Sequence, residues 1–198
     1  GVATQLASPA GAVNSVAYAI ADDGTVTGMY RSTNNQVHGV VWKNGVPTTL
    51  ALPSGQSRVF IRAISEVGWV AGQTGGALGG TATVWTPSGV LLLPHLLTGF
   101  EVLDYSRGIN SDGTVVGFSN TFDVDGNLQS SAAMLWDYSA TGYVAYDLAT
   151  LIVNIGTWDF SVASGQAIND MGDIVGLANT SVGGPPHAFL LTAVPEPA

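Results

Sequence analysis

One stretch, Gln166–Gly176 (QAINDMGDIVG), occurs in three further variants: Tyr18–Gly28 (YAIADDGTVTG), Arg62–Gly72 (RAISEVGWVAG) and Arg107–Gly117 (RGINSDGTVVG). Each copy places a small residue and Ile before a polar turn that ends in Gly. An apolar position and a second Gly follow, so each copy describes two short strands joined by a tight turn. Four copies make the repeat the unit that has to fold, ahead of any single residue.

Around these copies the chain divides into four units, at residues 14–55, 57–97, 100–152 and 160–193. In unit one, strand-forming runs lead through Asp22-Asp23-Gly24, a loop at Thr33-Asn34-Asn35 and a hairpin turn at Asn44-Gly45 into Pro47–Leu52, giving four antiparallel strands. Unit three is longer, with an insertion around Asp123–Asn127, and unit four stops after a third strand, Ala188–Thr192. Residues 1–13 match the end of unit one at a constant shift of 44, with Leu6 on Leu50, Pro9 on Pro53 and Gly11 on Gly55. They supply the strand that unit four lacks. The expectation is an all-β single domain, 1–193: a β-propeller of four blades of four antiparallel strands, closed by the N-terminal strand pairing with the last blade. The spacing from Gly28 to Gly72 to Gly117, 44 and then 45 residues, agrees with propeller blades of about 40 to 50.

Strands packed between neighbouring sheets are buried on both faces, which accounts for the Ala, Val, Ile and Leu content. Gly28, Gly72, Gly117 and Gly176 lie within strands with no Lys or helix after them, so they are read as close-packing positions and not as phosphate cradles. Trp42, Trp85 and Trp136 share one repeat position, answered by Leu191, and are expected to be core anchors between blades. The formal charge of -9 opposes binding to nucleic acid or an anionic membrane surface. Cysteine is absent, which excludes disulfide, zinc-thiolate and thiol chemistry in this chain.

The pattern AINxxGxIVG followed by His187-Ala188-Phe189-Leu190 resembles the HAF family of extracellular repeats, loosely kept in unit one as His38-Gly39-Val40. The last residues, Val194-Pro195-Glu196-Pro197-Ala198, resemble the start of a PEP-CTERM sorting signal. Together these resemblances imply a secreted or cell-surface protein of a Gram-negative bacterium that makes exopolysaccharide, with exosortase-type processing of the full-length protein.

No convergent catalytic set is visible: there is no Gly-x-Ser-x-Gly elbow, and His38, His95 and His187 lack metal-ligand spacing. The acidic turn residues Asp22, Asp23, Glu66, Asp112 and Asp170 are read as solvated turn formers. Asp123-x-Asp125-x-Asn127 supplies three oxygen donors, the first half of a calcium loop without its closing bidentate Glu, so Ca²⁺ is the one cofactor to test. The most informative polar position lies two residues before each repeat's Ile: Tyr18, Arg62, Arg107 and Gln166. On first strands lining an axis, these would gather as a site for a small anion or acidic saccharide. The expected function is a non-catalytic extracellular binding or structural module, and the alternative is a carbohydrate-active lyase or hydrolase working at the channel mouth.

Overall fold

A computed structural model describes residues 1–75 and 79–193. The PEP-type tail, Val194–Ala198, lies outside the described residues. The chain is all-β, with several antiparallel sheets and, among the described residues, a single short 3-10 turn at Leu148–Leu151. Unit one forms β1 (Ala12–Ile20), β2 (Val26–Ser32), β3 (Val37–Lys43) and β4 (Val46–Thr49), paired in chain order. Unit two forms β5 (Arg58–Ile64), β6 (Val70–Gly75), β7 (Gly80–Thr86) and β8 (Gly89–Leu92). Unit three forms β9 (Glu101–Ile109), β10 (Val115–Phe122), β11 (Leu128–Ser139) and β12 (Gly142–Asp147), and one parallel bridge, Gly80 with Leu103, joins it to unit two. Unit four has β13 (Asp159–Ile168), β14 (Ile174–Asn179) and β15 (Pro186–Leu191).

The units stack face to face in sequence. β5 packs on β1, β2 and β3, β9 packs on β5, β6 and β7, and β13 packs on β9, β10 and β11. The core therefore lies between sheets: Val59, Ile61 and Val70 of unit two meet Met29, Val37 and Val41 of unit one. Unit three places Val115, Met134 and Trp136 against Ala71, Ala82 and Val84 of unit two.

The three repeated tryptophans fasten the segment that enters each unit, and Trp85 and Trp136 also lie in the cores between units. Trp42, Trp85 and Trp136 are 1%, 3% and 0% exposed. Their indole N–H groups donate to the carbonyls of Ala7 at 2.7 Å, Ala51 at 2.7 Å and Pro94 at 2.9 Å. Each acceptor lies on the segment that enters the tryptophan's own unit, so one ring fills core volume and pins the incoming chain. The acidic turns also do more than meet water, as Glu66 Oε2 accepts the Asp22 N–H at 2.7 Å. Asp170 similarly accepts the N–H and hydroxyl of Ser111, at 2.7 and 2.9 Å. In both cases the turn of one unit caps the turn of the unit before it.

The expected pairing of Thr4–Ala7 with Ala188–Thr192 is not found. Residues 1–9 form no strand, and among the described residues β15 pairs with β14 alone. None of β1–β4 packs against β13–β15 beyond an isolated contact among the described residues. The Trp42 bond holds Ala7 on unit one, as its counterparts hold Ala51 and Pro94 on the units that follow them, and because units one and four do not pack together the N-terminal segment lies away from the β15 edge.

Candidate functional site

In every first strand the register with its partner skips one residue. Ala17 faces Gly28 and Ala19 faces Thr27; Ile61 faces Gly72 and Ala63 faces Ala71. Ser106 faces Gly117 and Gly108 faces Val116; Gly165 faces Gly176 and Ala167 faces Val175. The residues left over are Tyr18, Arg62, Arg107 and Gln166, the four polar positions singled out from the repeat. A bulge of this kind bends its strand and re-aims the extra side chain.

The bulge also explains the glycines. A Cβ on Gly28, Gly72, Gly117 or Gly176 would run into the carbonyl oxygen of Val16, Phe60, Tyr105 or Ser164, respectively. Each of those carbonyls lies two residues before the bulged side chain. The polar residue and the glycine of one repeat are therefore two halves of one backbone feature.

Three of the four bulged residues form a row across neighbouring units. The Arg62 guanidinium sits over the Tyr18 ring at 5.8 Å, and that of Arg107 sits over Phe118 at 5.3 Å. Phe118 in turn stacks on Tyr105 at 4.5 Å. Arg107 is half-buried, and its Nε is enclosed without a hydrogen-bond partner among the described residues. Burial first, and then the like charge of Arg62, hold its guanidinium below the usual arginine range, with Tyr105 acting the other way. Neither arginine has a carboxylate within salt-bridge distance among the described residues. Gln166 stays on its own strand, donating from Nε2 to the Ser164 hydroxyl at 2.7 Å.

Beside this row lies a groove of about 330 Å³, bordered by Arg58, Phe60 and Arg62 of β5 and by Glu101, Leu103 and Tyr105 of β9. Arg58 and Glu101 extend the site beyond the repeat position, with two cationic forks on one wall and a carboxylate on the other. A second groove of about 260 Å³ shares Gly79 and Gly80 with the first and reaches His95. There the His95 imidazole Nδ1 contacts a carboxylate oxygen of Asp104, whose side chain is 0% exposed, while the other Asp104 oxygen has no partner among the described residues. The hydrogen bond to Asp104 raises the His95 pKa against the opposing effect of burial. This pair was not expected from the sequence. Its signal was Asp104 itself, a carboxylate at the repeat position where unit two has Val59.

Asp123, Asp125 and Asn127 occupy the tight turn between β10 and β11. Asp123 Oδ1 accepts the backbone N–H of Asp125 at 3.0 Å and of Asn127 at 2.8 Å. Its Oδ2 accepts from the side-chain amides of Asn127 at 3.1 Å and Gln129 at 2.8 Å. Those donors hold the Asp123 carboxyl below the usual carboxylate range, with Asn127 the largest influence. Asn127 thus turns its NH₂ and not its oxygen toward Asp123, and no cluster of three His, Asp or Glu suited to a metal occurs among the described residues.

The remaining histidines are apart: His38 stacks on Tyr30 at 4.9 Å in unit one, and His187 lies on the exposed β15 edge. No family model matches the chain, and no curated protein matches it.

Proposed function

We propose that the four units are blades of a propeller-type array. In this reading the chain is a non-catalytic binding and structural module that takes a small anion or an acidic saccharide at the groove lined by Arg58 and Arg62, with Arg107 in the row beside it. One observation carries the reading: a bulge repeated in every unit sets apart a polar side chain, and in units two and three that side chain is an arginine without a carboxylate partner among the described residues. Only five basic residues stand against 14 acidic ones in the chain, and three of them border this row. The Arg107 guanidinium, held below its usual range by burial and by the nearby charge of Arg62, is relieved by an anion beside it. The resemblance to HAF repeats and to a PEP-type tail supports a location outside the cell for this activity, at the surface or in an exopolysaccharide matrix.

Calorimetric titration with an oligogalacturonate and with a neutral oligosaccharide of equal length tests it. The acidic ligand should bind and the neutral one should not. Arg62→Met with Arg107→Met should weaken binding by at least 100-fold, since each charge-assisted contact contributes about 1.5–3 kcal/mol. Equal binding of both sugars, or an unaffected double variant, would overturn the proposal. The enzyme alternative has the His95–Asp104 pair in its favour, an imidazole oriented by a buried carboxylate beside the shared groove. Depolymerisation of an acidic polysaccharide that disappears in His95→Ala would select it.

A further inference from the structure

The repeat defines how one unit covers the next. Thr27, Ala71 and Val116 hold one position on the second strand of units one to three and are each 0% exposed, covered by the following unit. Their third-strand partners are Val41, Val84 and Leu135. In unit four the same register selects Val175 and its partner Leu190, which are 44% and 62% exposed. Among the described residues, the trailing face of unit four is therefore an apolar interface without its cover.

At the other end the matching surface is bare as well. Ile61, Ser106 and Gly165 press onto the preceding unit: Ile61 is 0% exposed, the Ser106 hydroxyl donates to the Gly72 carbonyl, and a Cβ on Gly165 would touch Val116 at 3.0 Å. Their counterpart in unit one is Ala17, which is exposed. The edges correspond too. β3 is closed by β4 through Val41 opposite Thr48 and Val40 opposite Thr49, and then by the Leu50 N–H to the Gly39 carbonyl at 2.9 Å. β15 has no such strand among the described residues. The shift that relates residues 1–13 to unit one makes Thr4, Gln5 and Leu6 the counterparts of Thr48, Thr49 and Leu50. Leu6 and Ala7 are already docked on Trp42, as a segment arriving from a preceding unit would be.

We infer that the trailing face of unit four takes the leading face of unit one of a second copy of this chain, head to tail. Thr4–Leu6 of the second copy add to β15 as a fourth strand, with Thr4 opposite Leu190, Gln5 opposite Phe189, and the Leu6 N–H on the Ala188 carbonyl. The occupant is a second copy because units one and four of one chain do not pack together, while the segment that fits β15 is fastened to unit one. A contact between two different faces is heterologous and closes into a ring when the rotation allows, here with two copies offering one face of each kind. The inference rests on the stacked-blade part of the proposed reading and is independent of the anion site.

Light scattering after size exclusion tests it on the whole chain. The wild type should run at twice its 20.2 kDa mass or a higher multiple. Leu190→Asp breaks the trailing face and Ala17→Arg the leading face, and each variant alone should run at 20.2 kDa with an unchanged circular dichroism spectrum. Mixed in equal amounts, they should recover a two-chain mass, because one intact face remains on each. Ser15→Glu, on the same exposed face as Ala17, replaces Ala17→Arg should that variant lose its fold. A wild type that stays at the monomer mass over the whole soluble concentration range overturns the inference. So does either variant self-associating alone, which marks a like-with-like contact, or a mixture that stays monomeric.

Discussion

Replacing Trp136 by Phe tests whether the repeated tryptophans fasten the stack by their N–H as well as by their bulk. The ring is fully buried between units two and three, and its N–H reaches Pro94 at 2.9 Å. Phe keeps the benzene part, lacks two ring carbons worth roughly 0.8 kcal/mol each, and removes a hydrogen bond worth about 1 kcal/mol. The sum is about 2.5 kcal/mol. For a domain of this length that corresponds to a melting temperature lower by roughly 5–10 °C. Trp158 is the internal control: it is half-buried and its indole makes no hydrogen bond among the described residues. Calorimetric melting of Trp136→Phe and Trp158→Phe should differ by more than twofold in the fall of the midpoint. A difference of twofold or less, which the unequal burial of the two rings gives by itself, would show that the bond to the incoming segment contributes nothing.

Further outcomes follow from the bulge, the buried pair and the acidic turn. Gly117→Ala drives a Cβ into the Tyr105 carbonyl and within 3.1 Å of the Ser106 backbone, so urea melts should show a loss of about 1–3 kcal/mol or more, and no loss would mean the bulge is not rigid. His95 has its pKa raised in the folded state by Asp104. That stabilisation is therefore complete below the unfolded value of 6.5 and is lost as pH rises through the folded one; a pH series of melting temperatures in His95→Gln should lack this fall. Calcium entering the Asp123 turn has to displace four hydrogen-bond donors, so millimolar calcium should leave the melting midpoint unchanged. A clear rise would establish the site.

The four units were legible because turn chemistry is local: Asp-Gly, Asn-Gly and their variants fix hairpins whatever surrounds them. The tryptophan position was legible as core for the same reason that it repeats. The bulge was not. Skipping Arg62 or Arg107 is a property of the register between two strands, and the sequence shows only its two ends, a polar residue and a glycine ten positions later. Their pairing has its physical cause in the carbonyl that the bulge turns toward the glycine. Closure was misplaced for a different reason. Repeat arithmetic identifies which segment is the counterpart of a fourth strand, but whether it reaches β15 depends on whether units one and four meet, and they do not.

Asp104 is the sharpest departure from the repeat, and its removal separates structure from function. Units two and four place Val59 and Ala163 at this position, 1% and 2% exposed, so the fold favours an apolar residue there. A carboxylate enclosed in the same place loses its hydration at a cost of several kcal/mol, offset here by a single contact to His95 and left with one oxygen unpartnered. Removing only the partner, His95→Ala, strands that charge and should cost about 3–5 kcal/mol in urea unfolding at neutral pH. Asp104→Val removes the charge and restores the residue of unit two, so the change should lie between neutral and a gain of about 2 kcal/mol. If Asp104→Val instead destabilises more than His95→Ala does, the pair is a fastening between the linker and β9, and its place by the groove is incidental. If the valine variant is the more stable protein, the chain carries Asp104 against its own stability. Such a sacrifice beside an open groove is where a binding or proton-transfer role resides.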